Sequence, residues 1–321
     1  MRYLAQRLAR FLIVFFIVTF GLMILMRLGM NKPGDPARTM LGGTVSDQQI
    51  ADVTARYHLN SPLVFQYLYW LKGMVTLDMG VSVQQNIAVS TYIGGRVLVT
   101  VFLGAYSLLL ALLVAIPVAV YQAYKRDSLG DKTLSVASFA FVAIPPIVMG
   151  VLLILLFVRT LHWFPRTGEK IYPWDSPLQH IRNFALPTLA LSLPVGAVFS
   201  RLLRGDMVRT LQSDFVTLAS AKGVSTQRIL WRHALRNSLF SLVTSIGLQL
   251  AGIVGGAIVV EQLFAMKGMG TLLVASILSK DLFVVQALSA IIVFTVVIVN
   301  LLVDLSYAVI DPRIRHMRAL S

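Results

Sequence analysis

The sequence predicts an all-α membrane protein of six transmembrane helices, and three observations carry that prediction. The first is composition: 57% of residues are apolar and 13% charged, about half the ~25% charge of an ordinary globular domain. A soluble enzyme of one or two domains built this way could not cover its apolar side chains, and a disordered or collagen-like chain is excluded as well. The second is six apolar runs, at 9–30, 97–123, 135–158, 184–203, 239–260 and 284–310, each reaching the roughly 20 residues that cross a bilayer core. The third is charge asymmetry. The N-terminal Arg2, Arg7 and Arg10, the loops 124–134 and 201–238, and the tail 311–321 together carry 16 Lys and Arg against 5 acids, net +11. Loops 31–96, 159–183 and 261–283 carry 11 against 8, net +3. The excess basic side is cytoplasmic, which puts both termini inside. The overall +14 therefore sets topology and is not a nucleic-acid footprint. With no cysteine, disulfides, thiolate metal sites and cysteine nucleophiles are excluded.

The chain divides into an N-terminal transmembrane helix (1–30), an extracytoplasmic helical subdomain (31–96), a transmembrane core (97–310) with the cytoplasmic loop 201–238, and a cytoplasmic tail (311–321). The first span starts like a signal peptide, but Met26-Arg27-Leu28-Gly29-Met30 is no small-residue cleavage site, so the span is retained. In the subdomain, Ser46-Asp47-Gln48-Gln49 fits a capping box, and Ile50, Val53 and Tyr57 share a face of the helix it starts. Ser61 and Pro62 read as the N-cap and first residue of a second helix. There Phe65, Tyr67, Leu68, Tyr69, Trp70 and Leu71 suit a membrane interface. The subdomain either caps the bundle or docks an external partner. Trp163, Phe164, Pro165, Tyr172, Pro173 and Trp174 read as an aromatic belt.

Pro117 in the second span and Pro145-Pro146 in the third are expected to kink their helices. Pro187 and Pro194 in the fourth are tolerable where neighbouring helices satisfy the freed backbone groups. In the fifth, Gly252 and Gly256 form a small-xxx-small face for close helix approach, within the chain or against another subunit. Asp304 in the sixth span reads as a structural aspartate near the interface.

Loop 201–238 is the most informative stretch. Leu211, Phe215, Leu218 and Lys222, spaced 4, 3 and 4, predict a helix with an apolar stripe ending in a basic stem. Gly223 would stop it in the left-handed conformation. Ser225 would cap a second helix, 226–236, running into the fifth span. The result is a short basic protrusion, either a headgroup anchor or a knob for a protein partner. The chain has no G-x-x-x-x-G-K-[ST] phosphate loop, no H-E-x-x-H and no G-x-S-x-G. His58, His162, His180, His233 and His316 are scattered, so no catalytic or metal-binding residues are predicted.

Asp214-Phe215-Val216-Thr217-Leu218-Ala219-Ser220-Ala221-Lys222-Gly223-Val224-Ser225, followed by Arg232-His233-Ala234-Leu235-Arg236-Asn237-Ser238-Leu239, closely resembles the cytoplasmic coupling loop of ABC importer permeases. The closest resemblance is to the oligopeptide/dipeptide (nickel) permease family, in its first permease subunit type. Pro33-Gly34-Asp35-Pro36-Ala37, Gly255-Gly256-Ala257-Ile258-Val259-Val260-Glu261, Asn300-Leu301-Leu302-Val303-Asp304-Leu305 and Asp311-Pro312-Arg313-Ile314-Arg315 match the family in the same order. Departures stand at Thr217 from the general permease loop, and from the peptide branch at Leu218 and Ser220, at Leu239-Phe240-Ser241 where a proline is usual, and at Met266 and Lys267.

The resemblance implies a type I ABC importer permease fold in a bacterial cytoplasmic membrane, without an ATP site of its own. Partner ATPase subunits or domains, two of them, would bind ATP and Mg2+. A second homologous permease, an extracytoplasmic substrate-binding protein and a peptide substrate complete the set, nickel, glutathione or an oligosaccharide being alternative cargoes. A self-powered secondary transporter is the reading outside the family. The residues implied in ATPase coupling, within a 211–236 coupling loop, are Phe215, Thr217, Leu218, Ala219, Ala221, Lys222, Gly223, Ser225, His233, Leu235, Arg236 and Asn237. Gln249, the one polar side chain at mid-depth of the fifth span, and Pro145 and Pro146 are assigned to the translocation path. Gly252 and Gly256 are assigned to permease–permease packing.

Overall fold

A computed structural model describes residues 2–28, 35–41, 45–82, 84–165 and 171–310, with side chains from 8 to 302. Pro33-Gly34, the 311–321 tail and the side chain of Asp304 lie outside the described residues. The described chain is helical, with one isolated bridge between Val81 and Ala88. It divides into two compact units, residues 1–100 with 267–297 and residues 101–266 with 298–321.

The first unit starts with α1 (Arg2–Arg27), then α2 (Asp35–Leu41), α3 (Asp47–Arg56) and α4 (Leu63–Thr76). The capping box that opens α3 is formed on both arms: Gln49 N donates to Ser46 Oγ (3.2 Å) and Ser46 N donates to Gln49 Oε1 (3.0 Å). Ile50 packs with Ala37, Leu59, Val53 and Tyr57 in a small apolar cluster. Ser61 is not the cap of α4. Pro62 takes that place, in an extended conformation (φ −51°, ψ 146°), and its carbonyl accepts from Phe65 N and Gln66 N. Helix α4 turns Phe65, Leu68 and Tyr69 outward, while Tyr67 is buried on Thr19 of α1, with hydroxyls 2.7 Å apart.

The 261–283 segment, read from sequence as a loop, folds a further helix, α12 (Met269–Leu278), before α13 (Leu282–Ile310). Its ends are tied back: Ser82 Oγ donates to Asp281 Oδ2 (2.5 Å), Gln84 Nε2 to the Ser279 carbonyl (3.1 Å), and Met269 N to Thr100 Oγ1 (2.8 Å).

The second unit is built on α5 (Val89–Tyr124, entering it at Val101), α6 (Leu129–Ala143), α7 (Pro146–Leu153, continued as a π-turn to Thr160), α8 (Pro177–Leu211) and α11 (Leu235–Leu263). Among the described residues of both units, five helices are long and apolar enough to cross a membrane, six if α6 and α7 count as one span. Those two are bent by 105°, a break where the sequence suggested a kink. The cause is the proline pair. A residue before proline is driven out of the α region, and here both Ile144 (ψ 117°) and Pro145 (ψ 147°) precede one, so two successive residues are extended. Pro117, by contrast, lies inside unbroken α5.

Helix α8 holds Pro187 and Pro194 without breaking. It is the weakest span by hydropathy and the most buried, because protein surrounds it: α6, α7 and α11 all pack on it. Its lower end supplies Phe199, Leu203 and Met207, all fully buried, to a core with Ala111, Ala115 and Ala119 of α5 and Leu242 of α11.

Candidate functional site

The site lies where α8 hands over to α11. The Leu211–Lys222 stripe expected from sequence is not one helix. Helix α8 ends at Leu211, Ser213 Oγ donates to the Thr210 carbonyl (2.5 Å), and a new helix, α9 (Asp214–Ala221), begins. Leu211 therefore packs against the core below, while Phe215 and Leu218 ride on α9.

Helix α9 ends as Gly223 suggested. Gly223 has φ +78°; its N–H donates to the Ser220 carbonyl (3.0 Å) and Val224 N–H to that of Ala219 (3.2 Å). These are the paired bonds of a Schellman stop. The chain then turns at Ser225, whose backbone has the N-cap conformation but whose side chain makes no cap bond. A short α10 (Thr226–Arg228) widens at once into a π-turn, Ile229–Ala234, rather than the regular helix expected, and α11 follows without interruption.

Burial separates the roles of these residues. Val216 of α9 and Ile229, Leu230 and Ala234 of the π-turn are buried, and α9 packs on the π-turn. Leu230 and Ala234 join the core of Phe199, Leu203 and Met207, and Leu235 packs on its edge. Pointing away are Phe215 (44% exposed), Leu218 (56%) and Trp231 (49%). Thr217, Ala221, Lys222, Gly223, Ser225, Arg236 and Asn237 are exposed too, whereas Ala219 and His233 are half-buried. The motif pointed to Phe215 and Leu218; it did not single out Trp231 or the inward Val216, Ile229 and Leu230. Val216 lies on the inward face of α9 and Ile229 and Leu230 open the π-turn, so none of them falls on the Leu211–Lys222 stripe read from the sequence.

Below this knob sits a polar foundation. Thr210 Oγ1 and Ser238 Oγ are 3.2 Å apart, joining α8 to α11, and Asp206 of α8 accepts from Ser241 of α11 and pairs with Arg209. One layer further, Arg204 of α8 grips Asp131 of α6 with both arms, Nε to Oδ1 at 2.7 Å and Nη2 to Oδ2 at 2.6 Å. The Asp131 side chain is 3% exposed. It also accepts from Gln122 Nε2 of α5 (3.2 Å) and Asp127 N (3.0 Å), and its own N–H donates to Ser128 Oγ. One carboxylate thus locks the α5–α6 corner to the helix that carries the knob. Bidentate charged bonds of this kind fix orientation as well as distance.

Residues 115–316 match the family described as binding-protein-dependent transport system inner membrane component, and residues 1–93 match the N-terminal domain of such membrane components. The chain belongs to this permease family. Relatives extend over nearly its whole length. A probable peptide ABC transporter permease protein, y4tP, of Sinorhizobium fredii is 32% identical over 98% of this chain and 99% of its own. A putative peptide transport system permease protein of Brucella abortus is 35% identical over 97% and 98%. The oligopeptide transport system permease protein AppB of Bacillus subtilis is 36% identical over 88% and 90%. The fold is that of a type I importer permease.

In this permease the remaining predicted positions fall away from the knob. Pro145 is the exposed N-cap of α7 and Pro146 its half-buried first residue. Gln249 is half-buried on α11. Gly256 lies against α8, where an added Cβ would stand 2.9 Å from Leu191 Cδ2; Gly252 is exposed and would meet nothing beyond its own helix. His180 is buried: its Nδ1 donates to the Ile171 carbonyl (2.7 Å), so Nε2 accepts from the Tyr106 hydroxyl (3.1 Å), inside a cage with Phe102 and Phe184. Among the described residues no three His, Asp or Glu side chains gather as a metal would require.

Proposed function

We propose that this permease is a membrane subunit of a bacterial ABC importer that moves oligopeptides or dipeptides across the cytoplasmic membrane, with both termini in the cytoplasm. The observation that carries the reading is the knob: outward Phe215 and Leu218 on a short helix whose other face is rooted in the core. Apolar side chains on a protruding, basic segment suit insertion into a protein partner more than contact with lipid. The names of the relatives support peptide as the cargo.

The chain has no phosphate loop, so two ATPase subunits or domains bind ATP and Mg2+ and hold the knob. A homologous second permease completes the path, and an extracytoplasmic binding protein delivers the peptide. When ATP closes the ATPases, the knob moves with them. Because Leu230 and Ala234 are packed among Phe199, Leu203 and Met207, the ends of α8 and α11 follow. The Asp131–Arg204 clamp passes that motion to α5 and α6. Gln249, Pro145 and Pro146 line the path that opens, and Gly252 faces the second permease.

Gly223→Pro tests this reading. Proline cannot adopt φ +78° and removes the N–H bonded to Ser220. The assembled complex in proteoliposomes is expected to hydrolyse ATP while peptide uptake falls at least tenfold. Normal uptake by the variant would overturn the coupling role. Uptake of nickel, glutathione or an oligosaccharide in place of peptides would move the cargo within the family. Uptake that survives inactivation of the ATPases and is abolished by Asp304→Asn would mark a secondary transporter.

A further inference from the structure

In the second unit an open cleft of about 520 Å³ lies between α6 and α8, lined by Ser135, Phe139, Val198, Arg201, Leu202 and Arg204. Two of these six residues are basic and none is acidic. Arg204 uses two N–H groups on Asp131. A guanidinium has five, so three remain on a side chain that is partly exposed, while Asp131 is closed off behind the pair. Ser135 Oγ accepts from Gln122 Nε2 (3.1 Å), which leaves its own O–H to donate. Arg201 is exposed and forms no ion pair among the described residues; its guanidinium lies 4.0 Å from the centre of the Phe139 ring. The cleft therefore offers donors from three side chains and one positive charge that Asp131 does not answer.

Polarity is graded along the cleft. The Asp131–Arg204 pair fixes a common level on two antiparallel helices, and Ser138 and Ser200, with hydroxyls 3.5 Å apart, meet further along both. From that level into the apolar run 184–203, Arg201 and Val198 lie about 4.5 and 9 Å back along α8. Ser135 and Phe139 lie about 6 and 12 Å along α6. Donors come first and apolar side chains after them. Beside the cleft, Val136, Phe139, Ala140 and Ala143 of α6 form an exposed apolar strip. A soluble anion would meet only the first part of this surface. A ligand that matches both parts has an anionic head and an apolar tail. At the end of a membrane span such a ligand is a phospholipid, and basic pockets between transmembrane helices are known to take anionic headgroups.

We propose that this cleft holds an anionic phospholipid of the phosphatidylglycerol class, from the leaflet on the knob's side. Its phosphate oxygens accept from Arg201, Arg204 and Ser135, and its single negative charge answers that of Arg201. An acyl chain lies over Phe139 and Val198 toward Ala143. A choline headgroup brings its own cation, so a phosphatidylcholine has no net charge to offer Arg201.

The test uses the full-length permease in nanodiscs of equimolar phosphatidylglycerol and phosphatidylcholine, with retained lipid counted by native mass spectrometry. Wild type is expected to keep phosphatidylglycerol at least tenfold over phosphatidylcholine. Arg201→Gln should cut that enrichment at least fivefold, with thermal unfolding in pure phosphatidylcholine unchanged, and Arg201→Lys should keep at least half of it. Equal retention of both lipids by wild type would overturn the proposal, as would unchanged enrichment in Arg201→Gln or an equal loss in the lysine variant. Release of bound phosphatidylglycerol by millimolar inorganic phosphate or glycerol 3-phosphate would overturn the lipid as source in favour of a soluble anion. Enrichment that disappears when a second permease is assembled beside the chain would give the cleft to that subunit instead. None of these outcomes bears on ATP-driven peptide uptake, so the two readings fail separately.

Discussion

The α9 knob and the α3–α4 subdomain are both short helical excursions that turn large apolar side chains outward, Phe215, Leu218 and Trp231 in one, Phe65, Leu68 and Tyr69 in the other. They are held in opposite ways. Helix α3 is fastened by its own first turn, through the reciprocal Ser46–Gln49 bonds, and buries only a small local cluster. Helix α9 has no side-chain cap at Ser213. It is held by its Schellman stop and from below, through Val216, the π-turn and the foundation that reaches Asp131. A locally fastened element can be disturbed without consequence elsewhere. An element fastened through the core moves only with it, which is what a part that transmits force requires.

The largest expected effect comes from cutting the foundation. Asp131→Asn leaves the Arg204 guanidinium, itself 28% exposed, facing a neutral amide, and losing such a charge-assisted pair costs roughly 1.5–3 kcal/mol. The unfolding midpoint of the detergent-purified permease should fall accordingly, and peptide uptake with it. Replacing both partners, as Asp131→Leu with Arg204→Met, should recover more than half of that loss, because no unpaired charge remains. If the single change costs less than about 1 kcal/mol, the knob is not held from below and the contrast with α3 disappears.

Ser46→Ala sharpens the other side. Loss of an N-cap costs about 1 kcal/mol, and at this exposed position the loss stays local. Hydrogen exchange of the amides at the start of α3 should quicken several-fold, while ATP-driven uptake stays at the wild-type level. Reduced uptake would show that the subdomain, too, is mechanically joined to transport.

These two fastenings were not equally legible in the sequence. A capping box is written in four consecutive residues and Gly223 in one, so both could be read directly. The five continuous spans, and the run that folds as the bent α6–α7 pair, were legible because each carries its own apolar stretch. Asp131 and Arg204 are 73 residues apart, and nothing in either neighbourhood names the other. The π-turn at Ile229–Ala234 uses residues that also suit a regular helix. Helix α12 has only 10 residues, too short to stand out as a span. The proline pair marked where α6 ends but not how far the chain turns, since the angle follows from two extended residues in succession. The apolar stripe misled at Leu211 for a related reason: its spacing continues across a helix end that Ser213 and Thr210 impose.

The smallest effect on stability, and the one that separates holding from gripping, belongs to Leu218→Ala. Leu218 is 56% exposed on α9 and buries little within the chain, so its truncation should change stability by no more than about 0.5 kcal/mol. In a complex, the same side chain would fill a groove of the ATPase, and removing an apolar anchor from such a contact costs roughly 1–3 kcal/mol of binding. Thermal unfolding of the isolated permease is therefore expected to match wild type, while retention of the ATPase subunits through purification falls about tenfold or more. Val216→Ala on the inward face should do the reverse, lowering the unfolding temperature before it lowers retention. If Leu218→Ala leaves retention intact and lowers stability instead, the outward face of α9 is packing surface, and the difference between its two faces is not the division between anchor and grip.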